Sequence, residues 1–225
     1  NSKGIKNKNM SLVNSKPLIL YTLNFLKKFI KKKINKNYNY HYLISSDSKT
    51  IRDYCKKKGF IVNYKRPNEV SQDNSSMVET IKHGLLWYEK NNNLQIDTII
   101  ILQPTTPLRY FDELKKMITR FKRNNIKSMI SVTYIKEHPF ESIYKKGKNW
   151  KFLEKSKKNI NGRQEYDNNY FFIDGSYYII NKNFLLDKNC IIVENKTDLY
   201  LLNRTWPIDI DVNDDLKIAE YFLSN

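Results

Sequence analysis

Three stretches of this sequence carry residue types in patterns that suit chemistry. The first is Asp209-Ile210-Asp211. On an extended chain, residues two apart point to the same side, so both carboxylates can hold one hard cation through oxygen. Ile208, Ile210 and Val212 alternate with them and read as the buried face. Two carboxylates on one side repel unless something positive sits between them, although the pattern also suits a surface strand ahead of an acidic helix cap. The second is Gln103-Pro104-Thr105-Thr106-Pro107-Leu108-Arg109, directly after an apolar run. Its prolines fix the loop backbone and leave Gln103 at a strand end, where its amide can both donate and accept. A purely structural turn tolerates the same residues. The third is Ser2-Lys3-Gly4-Ile5-Lys6-Asn7-Lys8-Asn9. Small residues and lysines ahead of a helix can bind a polyphosphate with backbone amides and ammonium groups, but a solvated Lys-rich terminus has the same composition. GxxxxGK[ST] is absent, so this is not a Walker A loop.

Other chemistries find no support. His41, His83 and His138 are scattered, without HxxxH or HExxH, which leaves a zinc site without ligands at the needed spacing. No GxSxG elbow exists, and neither Cys55 nor Cys190 lies near a histidine in sequence. Two isolated cysteines without CxxC do not make a disulfide scaffold.

The elements that must position these residues alternate along the chain. Helical periodicity predicts a helix over 17–30, with Ile19, Leu23, Leu26 and Ile30 on one face. His41–Ser46 reads as a strand feeding a helix at about 48–58, stopped by Gly59; Phe60–Tyr64 reads as the next strand. Ser76 and Glu79 have the spacing of a capping box opening a helix with Val78, Ile81, Leu85 and Tyr88 on one face. Thr98–Leu102 is a continuous apolar strand of the kind found in parallel sheets. A helix over 110–124 and a strand over 128–135 follow. From about 136 to 168 the pattern loosens into a polar excursion that keeps Phe140, Ile143, Trp150 and Phe152. Strands are then expected at 170–180, near 190–194 and near 206–210, with a final helix at about 213–224 capped by Asn213. Repeated strand–helix units imply a doubly wound α/β sheet whose ligands sit beyond the C-terminal strand ends.

The 225 residues, 40% of them hydrophobic, suffice for a sizeable core and exclude global disorder. No apolar run approaches the roughly 18 residues of a membrane helix, and nothing has the shape of a signal peptide, so the expectation is a soluble cytoplasmic domain without a membrane partner. Forty Lys+Arg against 23 Asp+Glu give a net charge of +17. The basic residues are scattered, and Lys outnumbers Arg, the residue that reads bases bidentately. Nucleic acid is therefore not the expected partner.

Taken in order, these segments resemble the acylneuraminate cytidylyltransferases, which make CMP-activated nonulosonic acids. SKGIKNKN followed by Asn14-Ser15-Lys16-Pro17-Leu18-Ile19 resembles that family's nucleotide loop and the helix after it. Arg66-Pro67-Asn68-Glu69-Val70 with Asp73 is similar to its RPxEL…D segment, and LQPTTPLR to its LQPTSPLR signature. Arg163-Gln164-Glu165 resembles its RQD element, Asp174-Gly175-Ser176-Tyr177-Tyr178 its NGAIY, and IDIDVNDDL its IDIDxxxDL.

The resemblance implies a Rossmann-like nucleotidyltransferase, a three-layer α/β fold in a single domain over 1–225, with the excursion at about 136–168 serving dimerisation. It implies a homodimer that uses Mg²⁺ to join CMP from CTP to a nonulosonic acid, the anomeric hydroxyl attacking the α-phosphate and pyrophosphate leaving. Carried over residue by residue, Ser2, Lys3, Lys8 and Asn9 hold the nucleotide's phosphates and ribose, and Arg66 helps to frame the cytosine. Gln103, Arg163, Gln164, Asp174 and Tyr178 face the sugar, and Asp209 and Asp211 bind Mg²⁺. Lys8, Gln103 and Asp211 are then the catalytic group.

Some positions depart from the pattern. The family's SK follows a strand and an arginine three residues before the serine, and both would fall ahead of Asn1, so the first strand is expected to be missing. Asp174 stands where the family has Asn, and Glu141 where relatives often carry a base after His138-Pro139. The last two changes point to an unusual nonulosonic acid. Two alternatives stay open: a related nucleotidyltransferase with another acidic sugar such as a 3-deoxy-octulosonate, which the SKGIxxKN form of the loop disfavours, and an inactive truncated family member, which the missing first strand favours.

Overall fold

A computed structural model of the chain describes residues 4–72, 74–155, 166, 169–204 and 207–224. Ser2, Lys3, Asp73, Arg163 and Gln164 lie outside the described residues.

The helices sit where periodicity puts them. Helix α1 (Leu18–Lys32) buries Leu18, Ile19, Leu23, Phe25 and Phe29, and its last turn carries Lys31 and Lys32 against the negative end of the helix dipole. Helix α2 (Lys49–Lys57) is capped by Ser48, whose hydroxyl accepts from Ile51 N. Helix α3 (Met77–Asn92) opens on the Ser76/Glu79 capping box, with both reciprocal bonds formed. Helix α4 (Phe111–Arg123) buries Leu114, Met117, Ile118 and Phe121, with acids in its first turn and bases in its last. Helix α6 (Asn213–Ser224) follows a short α5 (Lys182–Lys188) that periodicity did not suggest; α5 rests on Asn181, which accepts from Phe184 N.

The sheet is mixed rather than parallel throughout. Beside a two-residue pair, β1 (Leu12–Val13) with β2 (Lys16–Pro17), it contains β3 (Thr98–Ile101), β4 (Ser128–Tyr134), β7 (Phe171–Asn181) and β8 (Asp198–Leu201), in the order β3-β7-β4-β8. Strand β7 runs antiparallel to both neighbours, while β4 and β8 are parallel. The excursion contains a hairpin, β5 (Ile143–Lys146) with β6 (Asn149–Phe152). One core packs α1 and α4 against one face of the sheet through Phe25, Phe29, Leu114, Met129 and Tyr177. Another packs α3 and α5 against the opposite face around Ile130, Val132 and Ile180. These are the three expected layers.

Several expected strands are not ladder strands. His41–Ser46 and Phe60–Tyr64 run without ladder pairing, although Phe60, Val62 and Tyr64 are buried and Ile61 is 70% exposed. Alternation reports which face is buried, not which backbone pairs with it; here a Tyr42 hydroxyl accepts from Ile61 N at 2.9 Å. The apolar run 190–194 is a turn instead, because Lys196 N and Thr197 N both donate to Val193 O, and the pairing falls to β8 beyond it. Residues 207–211 are not a ladder strand, and Ile210 N donates to Thr105 O at 2.9 Å.

The feature that shapes the site is an irregularity in β7. Ile130 pairs with Tyr178 and Val132 with Ile173, so Ser131 alone spans Asp174, Gly175, Ser176 and Tyr177. Bulged strands re-aim their backbone, and Gly175 takes a φ of +72° that side chains rarely adopt. Ser131 clamps the bulge: its hydroxyl donates to Asp174 Oδ1 and accepts from Tyr177 N at 3.0 Å. Removing that hydroxyl leaves a buried amide and a buried carboxylate each short of a partner. Ser131→Ala is expected to lower unfolding free energy by about 1–3 kcal/mol in denaturant titrations; a loss no larger than that of a surface substitution would show that the bulge holds without its clamp.

Candidate active site

The site forms where the loop after β3, the bulge of β7, the segment 207–211 and the N-terminal loop meet. Arg109, at the end of the loop after β3, is buried beneath it. Its guanidinium donates to Ser176 O at 2.9 Å, to Thr22 Oγ1 at 3.0 Å, to Thr106 Oγ1 at 2.7 Å and to Gln103 O. Burial pulls its pKa down to about 10, which still leaves it charged at neutral pH. Thr106 ties the loop to the bulge a second time by donating to Gly175 O at 3.1 Å.

These bonds press the loop onto Gly175. A Cβ there would lie 3.2 Å from Thr106 Cγ2, 3.4 Å from Gln103 Oε1 and 3.9 Å from Asp209 Oδ2. Gln103 and Asp209 thus flank one glycine, with the Gln103 amide resting on Met77 Sδ at 3.2 Å at the start of α3.

The expected alternation in 207–212 is present: Ile208 and Ile210 are buried, and Asp209 and Asp211 face outward. Thr105 belongs to the same assembly, its carbonyl accepting from Ile210 N and its side chain hydrogen-bonding Asp209. The Asp209 carboxyl keeps an exposed edge yet sits in a recess, and its pKa is raised. Burial is the largest cause and the charges of Asp211 and Asp215 add to it; the Thr105 bond and Lys8 act the other way.

Lys8 supplies the positive charge that the paired carboxylates require. It opens a short 3-10 turn, Lys8–Met10, and its Nζ lies 2.7 Å from Asp211 Oδ1. The loop is held close: a Cβ on Gly4 would fall 2.1 Å from Asp211 O, so only glycine fits against that carbonyl. Helix α6 braces the other end, with Asn14 donating to Glu220 through both its backbone and its side-chain amide. Asn9 lies in the same 3-10 turn.

The remaining expected residues divide. Tyr178 is buried near Asp209 and Asp174, and burial, followed by those two charges, pushes its phenol up. Arg66 is engaged by the protein, donating to Asp47 Oδ1 at 2.8 Å and to Ser71 Oγ at 3.0 Å. Burial works most strongly against the ionised Asp47, but the Arg66 hydrogen bond, a backbone hydrogen bond and the Arg66 charge together outweigh it and hold that carboxyl below its usual range. Asp174, expected at the sugar, is held within the protein. It is 1% exposed, and its oxygens accept from Ser131, Ser176 Oγ and Ser176 N. Arg204, paired with Glu113 on α4, lies 3.7 Å from Asp174 and supplies the opposing charge. The acidic replacement in the bulge is thereby neutralised inside the protein. Arg109, Thr105, Arg204 and Glu113 escaped the reading of the sequence. Arg109 at least carried a signal, as the last residue of a distinctive loop, whereas nothing local marks Arg204.

Among the described residues no group of three or more His, Cys, Asp or Glu converges. Asp209 and Asp211 nevertheless fit a divalent cation that takes one or two carboxylates and completes its shell with substrate phosphates and water. No helix among the described residues is long and apolar enough to cross a membrane.

A mixed sheet between helical layers, with a Lys-bearing loop and two carboxylates at its edge, is the architecture of a nucleotidyltransferase. The solved CMP:2-keto-3-deoxy-manno-octonic acid synthetase, complexed with CTP, shares the fold with a TM-score of 0.66 at 10% identity, over 100% of this chain and 94% of that one. The 4-diphosphocytidyl-2C-methyl-D-erythritol synthase of Anaerococcus prevotii follows at 0.59 and 13%, over 99% and 95%. The sequence profile of the cytidylyltransferase family matches residues 1–222, and the chain belongs to that family. Among its relatives are the post-translational flagellin modification protein B of Campylobacter coli, 28% identical over 99% of this chain and 90% of its own, and the CMP-N,N'-diacetyllegionaminic acid synthase of Campylobacter jejuni, 27% identical over 99% and 91%. The N-acylneuraminate cytidylyltransferase of Streptococcus agalactiae is 26% identical over 95% of this chain and 49% of its own.

Two outcomes follow from the geometry. Gly175→Ala adds about 1–2 kcal/mol of left-handed backbone strain and pushes on Thr106, whose Cγ2 lies 3.2 Å from the added Cβ, so its melting temperature should fall; an unchanged melting temperature would show that the bulge relaxes freely. Asp209→Asn should do the opposite in the ligand-free protein. A carboxyl whose folded pKa lies above its unfolded value loses stability as pH rises from the unfolded pKa through the folded one. At neutral pH the neutral amide escapes that penalty, so Asp209→Asn should melt higher than the parent, with the gap closing in acid. A lower melting temperature at pH 7 would contradict the raised pKa.

Proposed function

We propose that the chain transfers CMP from CTP to a nonulosonic acid, with Mg²⁺ on Asp209 and Asp211, and releases pyrophosphate. The observation that carries this reading is Lys8 paired with Asp211 at 2.7 Å, with Asp209 and Gln103 together at Gly175. An ammonium, two carboxylates and an amide are what a triphosphate, its cation and a polar acceptor require. The acceptor class is supported by full-length relatives, one of which is named for a CMP-diacetyllegionaminic acid. The octulosonate alternative rests on a solved structure only 10% identical, which speaks to the fold alone.

In this reading the anomeric hydroxyl attacks the α-phosphorus and gives up its proton to water, while the bond from that phosphorus to the bridging oxygen breaks and pyrophosphate departs. Such a step needs alignment and charge neutralisation rather than a protein nucleophile. Asp209 and Asp211 would hold the cation, whose chemistry there would be to polarise the phosphate and lower the hydroxyl's pKa. Lys8 and Lys3 balance charge on the departing phosphates, Ser2 and Asn9 hold the phosphates and ribose with them, and Arg66 helps to frame the cytosine. Gln103 holds the sugar over Gly175, beside Tyr178. Arg163 and Gln164 face its carboxylate, to which an arginine fork is well matched. Dependence on CTP supports a cytoplasmic location. A homodimer through the excursion is supported by exposed Ile143, Trp150, Phe152, Phe171 and Phe172 on the hairpin and the start of β7.

The test is pyrophosphate release from CTP and Mg²⁺ with a panel of nonulosonic acids and 3-deoxy-octulosonate. Release should depend on a nonulosonic acid, and Asp211→Asn should lower kcat by about 10²–10³-fold without unfolding the protein. Release with octulosonate alone, or full activity in Asp211→Asn, would overturn the acceptor or the cation assignment respectively.

A further inference from the structure

Lys8 and Asp211 make an unequal pair. The Lys8 side chain is 11% exposed and that of Asp211 is 75% exposed. A largely covered lysine side chain with an accessible carboxylate is arranged so that the carboxylate meets solutes while the lysine stem is held behind it. Lys8 also acts electrostatically on Asp209, opposing the repulsion from Asp211. One ammonium therefore serves both carboxylates and occupies the charge position that a divalent cation would take. The backbone around it is pinned, by Gly4 against Asp211 O and by the turn bonds Lys8 N to Ile5 O and Ser11 N to Lys8 O. What is free to exchange is the Lys8 side chain. Four methylenes let its ammonium turn from a carboxylate to a phosphate without moving the loop.

We infer that Lys8 is an internal counter-ion that a divalent cation must displace from Asp211, so that the cation binds well only when a triphosphate is present to receive the displaced ammonium. The inference rests on the cation reading of Asp209 and Asp211 above. It makes nucleotide and cation binding cooperative by exchange of partners: a cation alone must sit beside an ammonium with nowhere to go, and a triphosphate alone must draw Lys8 away and leave two bare carboxylates. Together, each carboxylate has the cation and the displaced ammonium has a phosphate. The coupling is reciprocal, as linkage requires, and it keeps the apo carboxylates compensated without an ion.

Binding of Mn²⁺ alone, without nucleotide, tests this by electron paramagnetic resonance of free Mn²⁺, in the parent, in Lys8→Met and in Lys8→Met combined with Asp211→Asn. Circular dichroism melts check that each is folded, and Lys8→Ala serves if Lys8→Met is not. Removing the ammonium should tighten nucleotide-free Mn²⁺ binding by about tenfold, and adding Asp211→Asn should abolish the gain. Equal or weaker Mn²⁺ binding in Lys8→Met than in the parent would overturn the exchange while leaving the cation site in place. A tenfold gain that survives Asp211→Asn would overturn it too, by showing that Lys8 repels the ion from elsewhere. If neither the parent nor Lys8→Met binds Mn²⁺ without nucleotide, and CTP does not restore binding, the cation reading fails first and the exchange falls with it.

Discussion

A guanidinium buried at the junction of three elements holds this site together. Arg109 satisfies the carbonyl of Gln103, the hydroxyl of Thr106, the carbonyl of Ser176 and the hydroxyl of Thr22, so the loop after β3, the bulge of β7 and helix α1 are fixed by one side chain. A charge in that position is costly to bury, and four acceptors explain why it is tolerated. Lysine could not replace it, because a single ammonium lacks the planar fork that reaches separate acceptors. Everything that faces the ligand side builds on this joint. Gln103 comes to rest beside Gly175, Thr105 accepts the backbone of Ile210, and Asp209 is thereby brought to the same glycine.

A second charged layer lies beneath. Glu113, Arg204 and Asp174 form a chain from α4 into the bulge, with Ser131 and Ser176 completing the hydrogen bonds of Asp174. The acid in the bulge is thus held within the protein, and its charge is still felt at Tyr178. Burial and Glu113 act in opposite senses on Arg204, and the carboxylate prevails, holding the guanidinium protonated. Above this layer lie Lys8, Gln103 and the two outward carboxylates, the residues proposed to meet the substrates.

The helices and the carboxylate pair were legible in the sequence because local physics decides them. The capping box at Ser76 and Glu79 formed as spaced, and burial of Ile208 and Ile210 turned Asp209 and Asp211 outward even though 207–211 is not a ladder strand. Ladder partners were not legible, because alternation at Phe60, Val62 and Tyr64 fixes a buried face and says nothing about pairing. The antiparallel course of β7 was hidden for the same reason, since an apolar run fits either direction. Lys8 and Asp211 stand 203 residues apart, and their pairing depends on the close approach of Gly4. The family resemblance brought both residues into one site, but the ion pair between them needed coordinates.

The central claim is that Asp209 and Asp211 hold the cation of a bound cytidine triphosphate. Anomalous diffraction from crystals grown with Mn²⁺ and a non-hydrolysable CTP analogue tests it directly. One Mn²⁺ peak is expected within coordination distance of both carboxylates, with phosphate oxygens completing the shell. A nucleotide bound at the loop after β3 with its Mn²⁺ held by other residues, or a peak on only one of the two carboxylates, would contradict it.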